Sequence, residues 1–468
     1  LYLVPLAILL VAALALPAAA SASKLVTIDT PTGPGPVPGP YKANVLLPDG
    51  YDPGRAYPLL LLLHGVGDVP NYVSWAQPGS GDIVHTAAGL DAIIVMPEAD
   101  RGFYTDWFNG GRRGDPSWET YFLDTFIPFI ERTYKIAPGR RNHAVAGLSM
   151  GGFGAAYLGS QRPDLFGAVA SFSGFVQHQR PEADPGLKVV GEVDYTSIFG
   201  PMSGAYATGH NPTRTAANLR SSRVFVTVGD GTADPSAGSS PTAVVGGGAA
   251  ELELRQENDE FAAALHAAGV PVDYRPGVGV HDWPYWRAAL KEAIAWGLFS
   301  EVPEAPSKWT LQTVRTHGRA WDVRYDFATA PEQVITFTRA PGRLSVGGGT
   351  GTVTVTDVRT GCTATGSLPA EQLLPPKTCG RLVVATSRRH LRRGRRVRLT
   401  VRVSALRDDG SRTPAVGAVV RFGAARAITG ARGVAHITYR PVGRYGLRRV
   451  RATAPGLTNG FVRVRVTR

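Results

Sequence analysis

The stretch that most constrains this chain covers residues 142–156, which read N-H-A-V-A-G-L-S-M-G-G-F-G-A-A. The apolar run at 143–146 suits a buried central strand. Gly147-Leu148-Ser149-Met150-Gly151 follows, and then small residues able to open a helix. Glycines on either side of the serine let a strand turn sharply into a helix, because a side chain at either place would strike one or the other. Such a turn lifts the Ser149 hydroxyl above the sheet. It also leaves the Met150 N–H at a helix N-terminus, facing an oxygen that gains negative charge during acyl transfer. The plainer reading is a Gly-rich turn carrying an incidental serine; the strand before and helix after favour a nucleophile.

A serine hydroxyl is a poor nucleophile at neutral pH and needs a base, itself held by an acid. His281 lies in V-G-V-H-D-W-P-Y-W (residues 278–286), after an extended run at 270–274 and before a helix expected over 286–299. It is the last histidine of the α/β region, which makes it the candidate base, although a histidine among three aromatics can also simply pack. The acid is less determined. A buried strand at 223–228 is followed by G-D-G-T-A-D, so pattern alone points to Asp230 or Asp234. Glu251 opens a helix expected over 251–268, where a glutamate also compensates the helix dipole.

Residues 41–299 resemble the esterase D-like branch of the α/β-hydrolases, and most closely the secreted mycolyltransferases of the antigen 85 type. The matching pieces are Phe103-Tyr104-Thr105-Asp106-Trp107, Trp118-Glu119-Thr120, Gly147-Leu148-Ser149-Met150 and His281-Asp282-Trp283 with Tyr285-Trp286. The run Glu251…Arg255…Asn258…Phe261 has the spacing of that family's acid-bearing helix. The resemblance therefore implies Glu251 as the acid, with Asp234 as the alternative. It also implies Val66, in the loop after the leucine run at 59–63, as the oxyanion donor beside Met150. Where the mycolyltransferases hold a sugar with an Asp and an Arg, this sequence has His64 and Gly67. The order of readings is thus a serine esterase first, and an acyltransferase delivering to a sugar hydroxyl second. A catalytically silent wall-binding protein is third. Asp106, Trp107 and Trp283 are the substrate-contact candidates, Trp107 being equally suited to plain packing. No cofactor or metal is expected.

The expected architecture is an α/β-hydrolase fold followed by two small all-β modules, sandwich and Ig-like in character. Residues 1–23 read as an apolar leader ending in small residues of the kind signal peptidase accepts, with a membrane-anchoring helix as the alternative; either way the protein is exported. A Pro/Gly lead-in at 31–40 precedes the first clear α/β strand, and the catalytic region is bounded at 24–300. Residues 236–248 read as a flexible Gly/Ser/Ala rim. After a Pro-rich linker at 300–307 the hydrophobic period changes to two, giving modules at 306–380 and 381–468. Cys362 and Cys379, the only cysteines, are expected to form a disulfide in an exported protein.

Charge divides the chain. The total is +13, yet residues 381–468 hold about twenty more arginines than acidic residues, which leaves the rest net acidic by about seven. A basic β-module on an exported enzyme suggests an anionic cell-wall polymer or lipid headgroups as partner, beside an acyl ester substrate that is carbohydrate-linked or lipid. Nucleic acid is not expected, because no base-reading motif accompanies the charge. The secreted or envelope-associated location follows from the leader.

Overall fold

The computed structural model describes residues 22–33, 39, 41–67, 71–109, 116–190 and 192–468. The leader expected at 1–23 and most of the Pro/Gly lead-in lie outside the described residues. An eight-stranded sheet organises the first part. Its strands are β1 (Lys24–Asp29), β2 (Lys42–Leu47), β3 (Leu59–Leu63), β4 (Ile93–Pro97), β5 (His143–Leu148), β6 (Ala168–Phe172), β7 (Arg223–Val228) and β8 (Val272–Pro276). Their order is β1-β2-β4-β3-β5-β6-β7-β8, with the first two pairings antiparallel and the rest parallel.

Strands β3 to β6 are buried at every position, as expected of parallel strands covered on both faces. Successive side chains feed opposite layers: Leu59, Leu61 and Leu63 pack with Phe122 and Phe153, while Leu60 and Leu62 pack with Trp286 and Leu290. The covering helices include α1 (Ile127–Thr133), α2 (Met150–Gln161), α3 (Ala183–Val190), α4 (Gly248–Ala267) and α5 (Trp283–Trp296). A π-helical turn, Tyr121–Phe126, leads directly into α1. The expected rim at 236–248 differs more. Ala243–Gly247 is a π-helical turn running straight into α4, and the Gly247 carbonyl accepts the His281 N–H at 3.1 Å. That bond ties the small-residue segment to the loop of the candidate base.

The remainder is all β. Strands β9 (Trp309–Thr313), β10 (His317–Ala320), β11 (Val323–Phe327), β12 (Ile335–Ala340), β13 (Arg343–Gly347), β14 (Thr352–Asp357) and β15 (Thr363–Ser367) form two sheets, β10-β11-β14-β15 and β13-β12-β9. Leu311, Tyr325, Phe337 and Val353 share their core. Then follow β16 (Gly380–Thr386), β17 (His390–Arg392), β18 (Val397–Arg407), β19 (Arg412–Pro414), β20 (Val419–Phe422), β21 (Ala425–Ile428), β22 (Val434–Tyr439), β23 (Gly446–Ala454) and β24 (Leu457–Thr467). The ladders β19-β18-β16, with β22 on β18, and β21-β20-β23-β24, with β17 on β24, enclose Val401, Val403, Val420, Val450 and Val464. The expected Cys362–Cys379 disulfide is present, with the Cα atoms 5.5 Å apart. Cys379 also donates its N–H to the Gly456 carbonyl at 3.0 Å, so the bridge sits at the seam between the two β parts. Among the described residues no helix is long and apolar enough to cross a membrane.

The first β part is bolted to the α/β part by a buried charge. Arg315 Nε lies 3.1 Å from Glu119 Oε1, and both side chains are almost fully enclosed. Tyr157 donates its hydroxyl to the other Glu119 oxygen at 2.9 Å, and Asn218 exchanges hydrogen bonds with the Gln312 backbone at 2.7 and 2.8 Å. Burial pushes the Glu119 carboxyl up, but Arg315 and His210 more than offset this and hold it below the usual carboxylate range. Removing only the cation strands a buried carboxylate. Arg315→Met is therefore expected to lower stability by about 3–5 kcal/mol in urea unfolding, and adding Glu119→Gln to recover much of that loss.

Candidate active site

The site begins at the turn between β5 and α2. Ser149 has φ 54° and ψ −118°, a region non-glycine residues rarely occupy, at a cost of about 1–3 kcal/mol. Its N–H donates to the Phe172 carbonyl at 2.9 Å, which fixes the turn. The flanking glycines have no room for a side chain. A Cβ on Gly147 would lie 2.3 Å from the Gly151 carbonyl oxygen, and one on Gly151 would lie 2.5 Å from that of Leu63. Ser149 keeps partial exposure on the floor of a cavity, and Met150 opens α2, where its N–H has no acceptor within the helix. Val66 lines the same cavity from the loop after β3. That loop presses on the turn, since a Cβ on Gly65 would sit 2.6 Å from Leu148 Cδ1.

His281 and Glu251 meet beside it. His281 Nδ1 lies 2.7 Å from Glu251 Oε2, and Glu251 is only 1% exposed. The other carboxylate oxygen accepts the Ser173 hydroxyl and the Gly229 N–H, each at 2.6 Å. A carboxylate acceptor assigns the imidazole proton to Nδ1 and leaves Nε2 as a proton acceptor. The Trp286 ring meets the imidazole edge-on at a centroid distance of 4.8 Å, and its Nε1 donates to Ser173 Oγ at 3.3 Å. Ser173, Gly229, Gly247 and Trp286 all support this pair; the sequence gives Trp286 only as part of the matching motif, and gives the other three no role. The available signal was position, because Ser173 and Gly229 each follow the C-terminal end of a parallel strand, where α/β sites form.

The alternative acid is occupied elsewhere. Asp234 Oδ1 accepts the Ser236 N–H at 2.8 Å and its hydroxyl at 2.7 Å, capping a short turn; these bonds hold its carboxyl below the ordinary range. Asp230 accepts the Thr232 N–H at 2.9 Å. It is Glu251 that the fold brings to the imidazole.

Two of the three substrate-contact candidates do not line the cavity. Asp106 accepts the Thr120 N–H at 3.0 Å and also its hydroxyl, fastening the Trp118 turn. Trp107 is a core residue whose Nε1 donates to the Gly102 carbonyl at 3.1 Å. Both sit where the chain must knit the core after β4, and packing claims them. Trp283 does line the cavity, edge-on to Trp75 and Trp286. His64 is likewise structural: it is buried, with Nε2 accepting the Ala99 N–H at 2.9 Å and Nδ1 facing the Gly65 carbonyl at 2.7 Å.

The cavity holds about 830 Å³ and contacts Ser149, His281, Val66 and Met150. Phe103, Phe175 and Leu254 give it apolar walls, and Leu187 and Val189 of α3 complete them. Glu182, Glu253 and Glu257 add acid to its lining. Burial pushes the Glu257 carboxyl up to about 8, against the Gln177 N–H bond at 3.0 Å that favours its charged form. Among the described residues no cluster of His, Cys, Asp and Glu is arranged to hold a metal ion.

Comparison with known proteins places this geometry in a family. Residues 37–296 match the family model described as putative esterase. An esterase of Mycobacterium tuberculosis is 30% identical over 252 residues, which are 51% of this chain and 52% of the relative. The diacylglycerol acyltransferase/mycolyltransferase Ag85A of Mycobacterium gordonae is 27% identical over 251 residues, 51% of this chain and 71% of that protein. The chain spans about half the length of the first of these relatives. A solved ferulic acid esterase is 29% identical, covering 60% of this chain and all of its own at a TM-score of 0.43. The expected kinship with esterase D-like and antigen 85-type proteins is thus present in the α/β part. The chain belongs to the putative esterase family.

Proposed function

We propose that this protein is an exported serine esterase acting on carboxylic esters with an apolar acyl group. The observation that carries the reading is the 2.7 Å contact between Glu251 and His281 on the cavity whose floor holds Ser149. Ser149 Oγ attacks the ester carbonyl while His281 Nε2 takes its proton, and Glu251 stabilises the imidazolium that forms. The Met150 and Val66 amides receive the developing oxyanion, each such donor being worth on the order of a hundredfold to a thousandfold in turnover. His281 then protonates the departing alcohol, and water, entering by the same route, releases the acid from the acyl-enzyme. The apolar walls favour the acyl part, and Trp283 borders the ester.

Delivery of the acyl group to a sugar hydroxyl instead of water is the second reading, supported by the match to an acyltransferase. The disulfide supports export to an oxidising compartment. The arginine-rich β part is proposed to hold the enzyme on anionic envelope material.

Hydrolysis of p-nitrophenyl butyrate should fall by about 10⁴-fold in Ser149→Ala and by about 10²–10⁴-fold in Glu251→Gln, with Asp234→Asn within a fewfold of wild type. An Asp234→Asn defect matching Ser149→Ala would move the acid. Adding carbohydrate acceptors at millimolar concentration should leave free acid as the product; accumulation of acylated sugar selects the transferase. Glu257 gives a pH test. Its folded pKa lies above the ordinary glutamate value, so its contribution to stability is full below about pH 4.5 and lost as pH rises through about 8. Glu257→Gln should therefore match wild type within about 1 kcal/mol at pH 5 and exceed it by about 1–3 kcal/mol at pH 9.

A further inference from the structure

The outer face of the β21-β20-β23-β24 sheet carries arginines in direct cross-strand register. Arg421 pairs with Arg426 on one side and with Arg451 on the other, and Arg449 pairs with Arg463. Arg465 stands opposite Leu447 on β23 and His390 on β17. All six arginines are exposed. Among the described residues none of them pairs with a carboxylate, and the only acids of residues 381–468 are Asp408 and Asp409, in the β18–β19 turn of the other ladder. Like charges directly opposite on a sheet destabilise it, with cross-strand neighbours about 5 Å apart and alternate residues along a strand about 7 Å apart. A fold that keeps six guanidiniums at that density with no internal counter-charge presents an unfilled anion surface.

The shape selects the anion. The positive rows run from β21 to β24, so one small ion would satisfy two guanidiniums and leave the others opposed. A chain of anions satisfies them together. Guanidinium forks match phosphate oxygens bidentately. Phe461, exposed on this face, has the Arg449 guanidinium 4.6 Å from its ring centroid and that of Arg463 6.0 Å away. The ring thus serves as a platform that holds two of the guanidiniums in place.

We propose that this face binds a linear phosphate polymer through Arg421, Arg449, Arg451 and Arg463. The proposal deepens the anionic-partner role of the β part and is independent of the acyl-transfer reading, because these residues lie outside the cavity of Ser149.

The test uses the full chain and long-chain sodium polyphosphate, with orthophosphate at equal total phosphate and phosphatidylglycerol vesicles as parallel arms. Wild type should bind polyphosphate with a log Kd that rises with log salt at a slope of about 3 or more, each neutralised phosphate adding roughly 0.7–0.9. Binding should be lost in orthophosphate and weaker on vesicles. The quadruple variant Arg421→Gln/Arg449→Gln/Arg451→Gln/Arg463→Gln should lose at least tenfold in affinity. A variant of equal charge loss elsewhere, Arg398→Gln/Arg402→Gln/Arg412→Gln/Arg432→Gln, should stay within about threefold of wild type. Equal losses in the two variants, a salt slope below 1, or tighter binding to vesicles than to polyphosphate would each overturn the proposal. Ester hydrolysis should be unchanged in both variants, so a failure here is separable from a failure of the catalytic reading.

Discussion

One buried carboxylate organises the candidate site in the α/β part of this molecule. Glu251 is enclosed on α4, where an unpaired charge costs several kcal/mol, and three donors offset that cost. Each donor arrives from a different strand end: Ser173 after β6, Gly229 after β7 and His281 after β8. Parallel strands in register are what bring three such ends to one point. The arrangement also determines the imidazole tautomer, and with it which nitrogen can accept a proton. The strained serine turn after β5 lies one strand further along the same edge, so the sheet supplies both halves of the site.

Much of this was legible in the residues. The Ser149 turn could be read because steric exclusion dictates glycine at 147 and 151, and the structure leaves no room for a Cβ at either. His281 could be read from its place after the last strand of the sheet. Spacing alone did not separate Glu251 from Asp230 and Asp234, since the choice depends on where α4 lies against β7, a tertiary fact. The resemblance to a known family pointed to Glu251, and the hydrogen bonds agree with that pairing. Ser173 was missed because its contribution is one hydroxyl placed by a positive φ of 48°, which no periodicity encodes. Asp106 and Trp107 are candidates for substrate contact by sequence, but local hydrogen bonds engage Asp106 with Thr120 and Trp107 with Gly102. Residues 243–247 looked like flexible rim because glycine is a poor helix former; the bond from His281 to Gly247 shows how tertiary contact overrides propensity.

The two β parts are joined to the rest by different physics. Arg315 reaches from the end of β9 into an enclosed pocket with Glu119 and Tyr157, so the first β part is fastened to the α/β part by paired charge. The second is fastened to the first at the disulfide and Gly456, and turns a face of unpaired arginines outward. The Arg315–Glu119 pair is compensated inside the protein, whereas the arginines on the outer face of the last β part have no carboxylate partner among the described residues. A net acidic α/β part and a strongly basic β part thus stand side by side in one protein.

The central claim is that the Ser149 hydroxyl is made nucleophilic by the His281–Glu251 pair. It is tested most directly by reacting the protein with a fluorophosphonate and locating the adduct by peptide mass spectrometry. The account predicts one stoichiometric adduct on Ser149, formed far more slowly in Glu251→Gln. An unlabelled Ser149, or an adduct on another residue in a protein that still hydrolyses esters, would contradict it.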